Sequence, residues 1–229
     1  MNTLPNECLF DIFNNLRTDY GSLFSCLILS RQWCRIVVPL LWSEPTVRFS
    51  SLSITSVFLS TLNDEEQAMI PFETILPNYV KPLFEYTSFT ISVGDRLYDG
   101  IDYYFSEENT FFKNAVKCSL ISMFLRTSKI LKNLSIKFNG IIQDKIIKDL
   151  CRNTTIVSLN IDKKLFSSEV IEIINENVTI TSLKLLGNHL SFEGNCELAE
   201  ALCMNTTLTS LVLFGDLRLD ILAKAICKK

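Results

Sequence analysis

Apolar residues recur at helical spacing in three short stretches of the first 46 residues. In the first stretch the apolar positions follow the spacing i, i+3, i+4 and i+7 and are Leu9, Ile12, Phe13 and Leu16. Pro5 is tolerated in the first turn of this helix because an N–H there would have no partner. Asp19 and Ser30 are suitable N-caps for a second and a third helix, and Pro39 is expected to end the third. The pattern therefore predicts a unit of three short helices over residues 1–46.

The predicted helical unit is too small to enclose much of a core. Domains below about 40 residues usually need a metal, a disulfide or a partner to be stable. The chain has eight cysteines but no CxxC pair, and His189 is its single histidine. Neither a disulfide framework nor a Cys/His zinc site is therefore expected. The sequence thus predicts that the apolar stripe of the unit continues into a partner.

The same residues contain four elements of a known interaction motif at its spacing: Leu4-Pro5, Ile12-Phe13-x-x-Leu16, Ser30-Arg31-x-Trp33 and Leu40-Leu41-Trp42. This combination, which covers about a fifth of the 229 residues, resembles the F-box. The resemblance implies binding to the Skp-type adaptor and, through it, to the cullin of a Skp–cullin–F-box ubiquitin ligase. It implies a set of positions, some facing the adaptor and some the core of the unit: Leu4, Pro5, Leu9, Ile12, Phe13, Leu16, Leu29 and Trp33. The alternative is that these residues pack on the downstream part of the chain.

Residues 47–125 are expected to form a mostly helical connector that is rich in proline and aromatic residues. Helices are predicted over residues 51–62, from Asp64 onward, and over residues 116–125. Long helices are not expected between residues 70 and 83, where the chain is interrupted by Pro71, Pro77 and Pro82. The aromatic rings of the connector are expected to pack onto the neighbouring domain, and a ligand pocket lined by them is the alternative.

Residues 126–229 contain an internal repeat. The segment Asn153-Thr-Thr-Ile-Val-Ser-Leu159 recurs as Asn177-Val-Thr-Ile-Thr-Ser-Leu183 and as Asn205-Thr-Thr-Leu-Thr-Ser-Leu211, in steps of 24 and 28 residues. Periods of this size indicate stacked supersecondary units. Helices are predicted around three apolar groups: Ile146-Ile147-Leu150, Val170-Ile173-Ile174 and Leu198-Ala201-Leu202. Each repeat asparagine then directly follows a helix, where Asn tolerates a left-handed backbone.

The repeats also follow the pattern L-x-x-L-x-L-x-x-N-x-L, with the best matches at residues 131–141 and 180–190. This pattern resembles leucine-rich repeats of the ribonuclease-inhibitor type. The resemblance implies a short solenoid of about four copies, with a parallel sheet on one side and helices on the other. In two of the copies, Asn139 and Asn188 are expected to build a ladder of side-chain to backbone hydrogen bonds. The other two copies depart from the pattern, because Lys164 and Asp216 occupy this position. The predicted fold class is α/β, and α+β for the chain as a whole.

Alternate strand residues of such a solenoid point into the core and onto the open face of the sheet. The inward pairs are Leu134/Ile136, Leu159/Ile161, Leu183/Leu185 and Leu211/Leu213. The outward residues form two rows, Ser135, Asn160, Lys184, Val212 and Lys137, Asp162, Leu186, Phe214. The later copies expose an apolar patch, which indicates a contact. We expect a protein target to bind at Lys184, Leu186, Val212 and Phe214, and a C-terminal segment folded over the patch is the alternative.

Composition and charge exclude several other classes of protein. Apolar residues make up 48% and charged residues 21% of the chain, so it is expected to form a core rather than to be disordered. The net charge of −3 leaves no basic excess for binding nucleic acid. No apolar run approaches the about 20 residues of a membrane span. Charged residues within the first 20 positions exclude a signal peptide, so the expected location is cytoplasmic and/or nuclear.

The sequence contains no P-loop, no GxSxG and no paired metal-ligand motif, so an enzyme and a cofactor are not expected. The predicted function is that of a non-catalytic adaptor, in which the F-box recruits the ligase and the repeats hold the target. The alternative is a repeat scaffold that binds a partner but never joins a ligase.

Overall fold

The computed structural model describes most of the chain. The described residues are 4–48, 52–71, 82, 84–137, 144–162, 167–186 and 192–214. Among them, no helix combines the length and apolar character that crossing a membrane requires.

The N-terminal part is a unit of three helices, as predicted. They are α1 (Asn6–Asn15), α2 (Tyr20–Leu27) and α3 (Arg31–Trp42). The Asp19 side chain accepts a hydrogen bond from the backbone N–H of Ser22 at 3.1 Å and caps α2. The Ser30 hydroxyl accepts one from the N–H of Trp33, also at 3.1 Å, and caps α3. Both predicted caps are therefore confirmed.

The third helix continues past Pro39 to Trp42, so the prediction that Pro39 ends it is wrong. Proline fixes φ near the helical value, and inside a helix it removes one backbone hydrogen bond. Packing of the last turn offsets this cost, because Leu40 is buried in the core of the unit and Leu41 packs against that core. Trp42 packs against the larger core of the rest of the molecule.

Four helices follow in the connector. They are α4 (Leu52–Ser60), α5 (Asp64–Ala68), α6 (Arg96–Tyr104) and α7 (Thr110–Thr127). Three of them were predicted, and α6 was not. Asn63 caps α5 through a capping box, in which its side chain accepts from the N–H of Glu66 and the Glu66 carboxylate accepts from the N–H of Asn63. The predicted interruption by prolines falls largely on residues 72–81 and 83, which lie outside the described residues.

The C-terminal half is built on a parallel sheet of five strands in chain order. The strands are β1 (Ser92–Val93), β2 (Asn133–Lys137), β3 (Ser158–Asp162), β4 (Ser182–Leu186) and β5 (Ser210–Phe214). Helices α8 (Asp144–Arg152), α9 (Ser167–Glu176) and α10 (Phe192–Met204) alternate with the last four strands. The predicted α/β class with a parallel sheet is confirmed. Strand β1 was not predicted, since two residues are too few to show an alternating pattern.

A single large core extends from the connector into the sheet and its helices. It runs from Phe58 in α4, through α7, to Leu202 in α10. The inward strand residues of β2, β3 and β4 are buried as predicted, and Leu211 and Leu213 of β5 are half-buried. The three predicted apolar groups on α8, α9 and α10 are buried against them. The connector and the sheet therefore fold on one another.

Ser135 is the exception among the outward residues, because it is buried. Its hydroxyl is hydrogen-bonded to the Asp95 carboxylate and accepts a hydrogen bond from the Asn160 amide at 2.9 Å. Ser135 therefore lies in the outward row, as predicted, but this position of the sheet is covered rather than open. The cause is the turn between β1 and α6, which was not predicted and which covers this position of β2.

The repeat asparagines come directly after helices α8, α9 and α10, as predicted, and their side chains hold the turns. The Oδ1 atom of each accepts hydrogen bonds from the backbone N–H groups two and three residues later, at 2.8–3.0 Å. The amide of Asn177 also donates to the carbonyl oxygens of Leu150 at 2.7 Å and Asn153 at 2.9 Å. The amide of Asn205 donates to the carbonyl of Ile174 at 2.8 Å. Successive repeats are thus tied to one another.

The other asparagine ladder, which the sequence predicts after the strands, falls outside the described residues. Its positions are Asn139, Lys164, Asn188 and Asp216.

We expect Asn177→Ala to lower the free energy of unfolding by about 3 kcal/mol, because it leaves buried backbone groups without partners. Asn133→Ala is the control, since Asn133 is exposed at the start of β2, and we expect a change within about 0.5 kcal/mol. Urea unfolding of the full chain measures both. Equal effects of the two substitutions would show that the Asn177 hydrogen bonds do not stabilise the fold.

Candidate interaction surfaces

The three-helix unit has a small core of its own. Five side chains are buried in it, namely Leu9, Phe13, Leu23, Val37 and Leu40. The Phe13 ring packs edge-on against Trp33, with 4.9 Å between the ring centroids. The unit is therefore closed on one side, and the faces of its helices that point away from this core must be covered by something else or remain in water.

Large apolar side chains remain exposed on those faces. We call them the helical apolar surface, and they are Leu4, Phe10, Ile12, Phe24, Ile28 and Leu29. Ile28 is 83% exposed and Phe24 is 66% exposed. Single exposed apolar residues are common on proteins, but six within 26 positions of one small unit indicate an interaction surface.

The structure separates the eight residues that the F-box resemblance implies. Four are exposed: Leu4, Pro5, Ile12 and Leu29. Leu9 and Phe13 are buried in the core of the unit, and Leu16 and Trp33 are half-buried against it. The first four are exposed to a partner, Leu16 and Trp33 are accessible in part, and Leu9 and Phe13 are inaccessible without a rearrangement of the helices.

Sequence reasoning missed Phe10, Phe24 and Ile28. Leu23 and Leu27 form the inward apolar face of α2. Phe24 lies in α2 and Ile28 directly follows its end. The two residues are four positions apart, so they form a second apolar row on the helix. That second row was the signal that could have found them.

An apolar cavity of about 450 Å³ continues the helical apolar surface toward the rest of the molecule. Its apolar lining includes Tyr20, Phe24, Leu27, Leu41, Trp42 and Ile54. Phe24 belongs to both the cavity and the helical apolar surface, while Ile54 lies on α4 of the connector. A partner on the helical unit would therefore also reach the connector.

The end of α3 is fixed to the edge of the sheet. The Ser43 carbonyl oxygen accepts hydrogen bonds from the N–H groups of Ile91 at 2.7 Å and Ser92 at 3.0 Å. The Thr46 hydroxyl accepts one from the N–H of Gly94 at 2.9 Å. We call these contacts the β1 clamp, because all three donors lie in or beside β1.

Aromatic packing supports the β1 clamp. The Trp42 ring stacks on Tyr86, with 4.8 Å between the centroids and 15° between the planes, and it meets Phe58 edge-on at 6.1 Å. Phe58 is fully buried in the large core. The orientation of the helical unit relative to the sheet is thus set by hydrogen bonds and by packing together.

The open face of the sheet changes from polar to apolar along the strand order. Strand register aligns Ser135, Asn160, Lys184 and Val212 in one row and Lys137, Asp162, Leu186 and Phe214 in the other, as predicted. On β2, the Lys137 ammonium lies 3.9 Å from the Asp99 carboxylate. On β5, Val212 is exposed and Phe214 is 67% exposed. We call Lys184, Leu186, Val212 and Phe214 the sheet patch.

One group of side chains in the described residues could supply metal ligands. Ligand atoms of Cys151, Glu172 and Glu176 lie within 4.8 Å of one another. Burial, together with the two carboxylates, raises the pKa of Cys151 to about 11. The thiol is therefore protonated at neutral pH, and metal binding would have to displace its proton.

Comparison with known proteins identifies the N-terminal unit. Residues 1–48 match the family model described as F-box-like. F-box domains are typically non-catalytic adaptor subunits and generally bind Skp-type adaptors. No curated protein and no solved structure matches the chain. The match supports an F-box protein, and the leucine-rich repeats stay a prediction.

We expect Phe13→Ala to destabilise the helical unit by about 3–5 kcal/mol, because it empties the centre of a small core. Ile12→Ala changes the neighbouring residue of the same helix, which is 47% exposed, and should cost no more than about 0.5 kcal/mol. Thermal unfolding followed by tryptophan fluorescence measures both, because Trp33, one of the two tryptophans, contacts Phe13. A loss of stability in Ile12→Ala as large as in Phe13→Ala would contradict the assignment of inner and outer faces.

Proposed function

We propose that this protein is the target-recognition subunit of a Skp–cullin–F-box ubiquitin ligase, working in the cytoplasm and/or nucleus. The F-box-like unit binds the Skp-type adaptor and thereby joins the cullin, and the sheet holds a protein target. The observation that supports this most directly is the helical apolar surface. It lies on the unit that matches the F-box-like family, and it is uncovered by the rest of the described chain.

Burial of this surface supplies enough free energy for a stable complex. Fully burying one Leu, Ile or Phe side chain contributes about 1.5–3 kcal/mol. The helical apolar surface has six large apolar residues that are already part exposed. Association costs about 4–15 kcal/mol in lost translational and rotational freedom, so several of these residues must be buried together. A partner that covers only one helix would not bind tightly.

We assign two roles to the residues of the helical unit. Leu4, Pro5, Ile12 and Leu29 contact the adaptor, and Phe24 and Ile28 extend the contact toward the apolar cavity. Buried residues such as Leu9 and Phe13 hold the helices in position, so they affect the adaptor only through the shape of the unit.

We also propose that the sheet and its helices form a short leucine-rich-repeat solenoid of the ribonuclease-inhibitor type. Three features support this: the strands are parallel and lie in chain order, a helix follows each of β2, β3 and β4, and the repeat asparagines tie each copy to the one before. A stack of this kind presents its strands as a continuous open face.

The target binds on the sheet patch. Leu186 is half-buried, Val212 and Phe214 are exposed, and Lys184 supplies a charged group beside them. The described residues leave this apolar area open, whereas β2 is partly covered by the turn before α6. An exposed apolar area next to a charge is typical of a protein contact.

The β1 clamp supports the ligase function in mechanical terms. A target lysine is modified faster when it is held near the charged ubiquitin-conjugating enzyme, since this raises its effective concentration. A flexible joint between adaptor and target would dilute that effect. The clamp instead fixes the helical unit to the sheet through the Ser43 carbonyl and the Trp42 ring.

We expect Leu4→Ala with Pro5→Ala to weaken binding to a purified Skp-type adaptor by about 2 kcal/mol, or roughly thirty-fold. Phe24→Asp should have at least this effect, because it places a charge on the apolar surface. Phe111→Asp is the matched control, since Phe111 is 69% exposed but lies on α7, outside the helical unit. Gel filtration and calorimetry with the full chain measure complex formation.

Loss of the adaptor complex in Phe24→Asp but not in Phe111→Asp would support the proposal. If the unmodified chain formed no stoichiometric complex with the adaptor, the chain would be a repeat scaffold that does not join a ligase. If the Leu4/Pro5 double variant bound the adaptor with unchanged affinity, these two residues would not belong to the interface.

We expect Leu186→Glu with Phe214→Glu to abolish the binding of target proteins, while binding to the adaptor stays unchanged. The control is Val178→Glu with Phe192→Glu, which places two charges on exposed apolar residues outside the sheet patch. Affinity purification with the proteasome inhibited, followed by quantitative mass spectrometry, compares the two. An identical set of co-purifying proteins in both variants would refute target binding at the sheet patch.

A further inference from the structure

A second cavity lies on the helical side of the molecule, away from the surfaces assigned above. Its volume is about 440 Å³, within the usual range for small-molecule sites. It is bounded by α5, the second half of α7, α8 and the turn after α8. Its lining is largely polar and charged, in contrast to the apolar cavity at Phe24. We call it the α8 cavity.

One nearly buried hydroxyl in the wall of the α8 cavity has no partner among the described residues. Ser122 on α7 is only 3% exposed, and it lines the cavity. Among the described residues, its hydroxyl makes no hydrogen bond, whereas the nearby hydroxyls of Ser119 and Ser128 both donate to backbone carbonyls. Since Ser122 lines the cavity, its hydroxyl is open to a ligand or to water there.

Two cations at the cavity are already neutralised by carboxylates. The Arg126 guanidinium holds the buried Glu66 carboxylate through two bonds, at 2.7 and 2.9 Å. The Lys145 ammonium pairs with Glu65 at 2.7 Å. These pairs stabilise the walls and leave little charge for a ligand.

Two further cations remain available. Arg152, at the end of α8, has no carboxylate within ion-pair distance among the described residues, and Lys129 donates only to the backbone carbonyl of Arg126, at 3.1 Å. One carboxylate, Asp149, lies on the same wall and interacts electrostatically with Arg152. The cavity therefore has a net positive charge after internal pairing.

We propose that the α8 cavity binds a small organic ligand that carries an oxyanion, of the phosphate or carboxylate type. The guanidinium of Arg152 matches the geometry of such an anion, and Lys129 adds a second positive donor. The Ser122 hydroxyl hydrogen-bonds to the polar part of the same ligand. Its binding would join α8 to α5 and α7, and it requires neither the adaptor nor a target.

Inorganic phosphate is the simplest probe, because it tests the anion site alone. Titration of the full chain at constant ionic strength, followed by ³¹P NMR, gives the affinity. We expect Arg152→Gln to weaken phosphate binding by about ten-fold and Asp149→Asn to strengthen it by about three-fold. Lys148→Gln is the matched control, because it removes one positive charge from the same helix at an exposed position that does not line the cavity.

Opposite shifts in Arg152→Gln and Asp149→Asn, with Lys148→Gln unchanged, would support the site. The absence of saturable phosphate binding to the unmodified chain would overturn it, and so would equal weakening in Arg152→Gln and Lys148→Gln. Ser122→Ala tests the polar end of the site, with the same titration repeated for a sugar phosphate. Weaker binding of the sugar phosphate with unchanged binding of inorganic phosphate would support the role of Ser122. Unchanged binding of both ligands would contradict it.

Discussion

Three short helices enclose only one layer of side chains, and residues 4–42 fill that layer with Leu9, Phe13, Leu23, Val37 and Leu40. Every other large apolar residue of the unit must find a partner or face water. Trp42 finds one in the rest of the chain, where it packs on the large core. Phe24 and Ile28 do not. The geometry of a small core thus divides the unit into a side fixed to its own molecule and a side left for another protein.

The attachment of the helical unit to the sheet depends on a helix that contains a proline. Pro39 lies inside α3, where proline normally weakens a helix. The last turn nevertheless brings Trp42 onto Tyr86 and the Ser43 carbonyl onto two N–H groups beside β1. Since this carbonyl lies beyond the helix end, it is free to accept both bonds. The short strand β1 therefore joins the helical unit to the sheet.

Sequence reasoning succeeded where a local pattern determines the structure. Asp19 and Ser30 cap helices because their side chains reach the next turn, and the register of the four long strands follows from alternation and the Asn-x-Thr spacing. It failed where distant segments meet. Nothing near Ser135 in the chain shows that Asp95, 40 residues earlier, covers it. The polar wall at Ser122 and Arg152 is likewise formed by helices that are separate in sequence.

The order of the strands, from β1 at the clamp to β5 at the sheet patch, sets the arrangement of the proposed complex. Residues 95–99 contact the outward positions of β2 through Asp95 and Asp99, so the strands nearest the β1 clamp are partly covered and polar. Open apolar area begins only at β4 and β5. Four strand spacings of about 4.8 Å separate β1 from β5, or about 19 Å in total. A target on the sheet patch would therefore be held at a set distance from the adaptor, because the helical unit and the strands are parts of one packed structure.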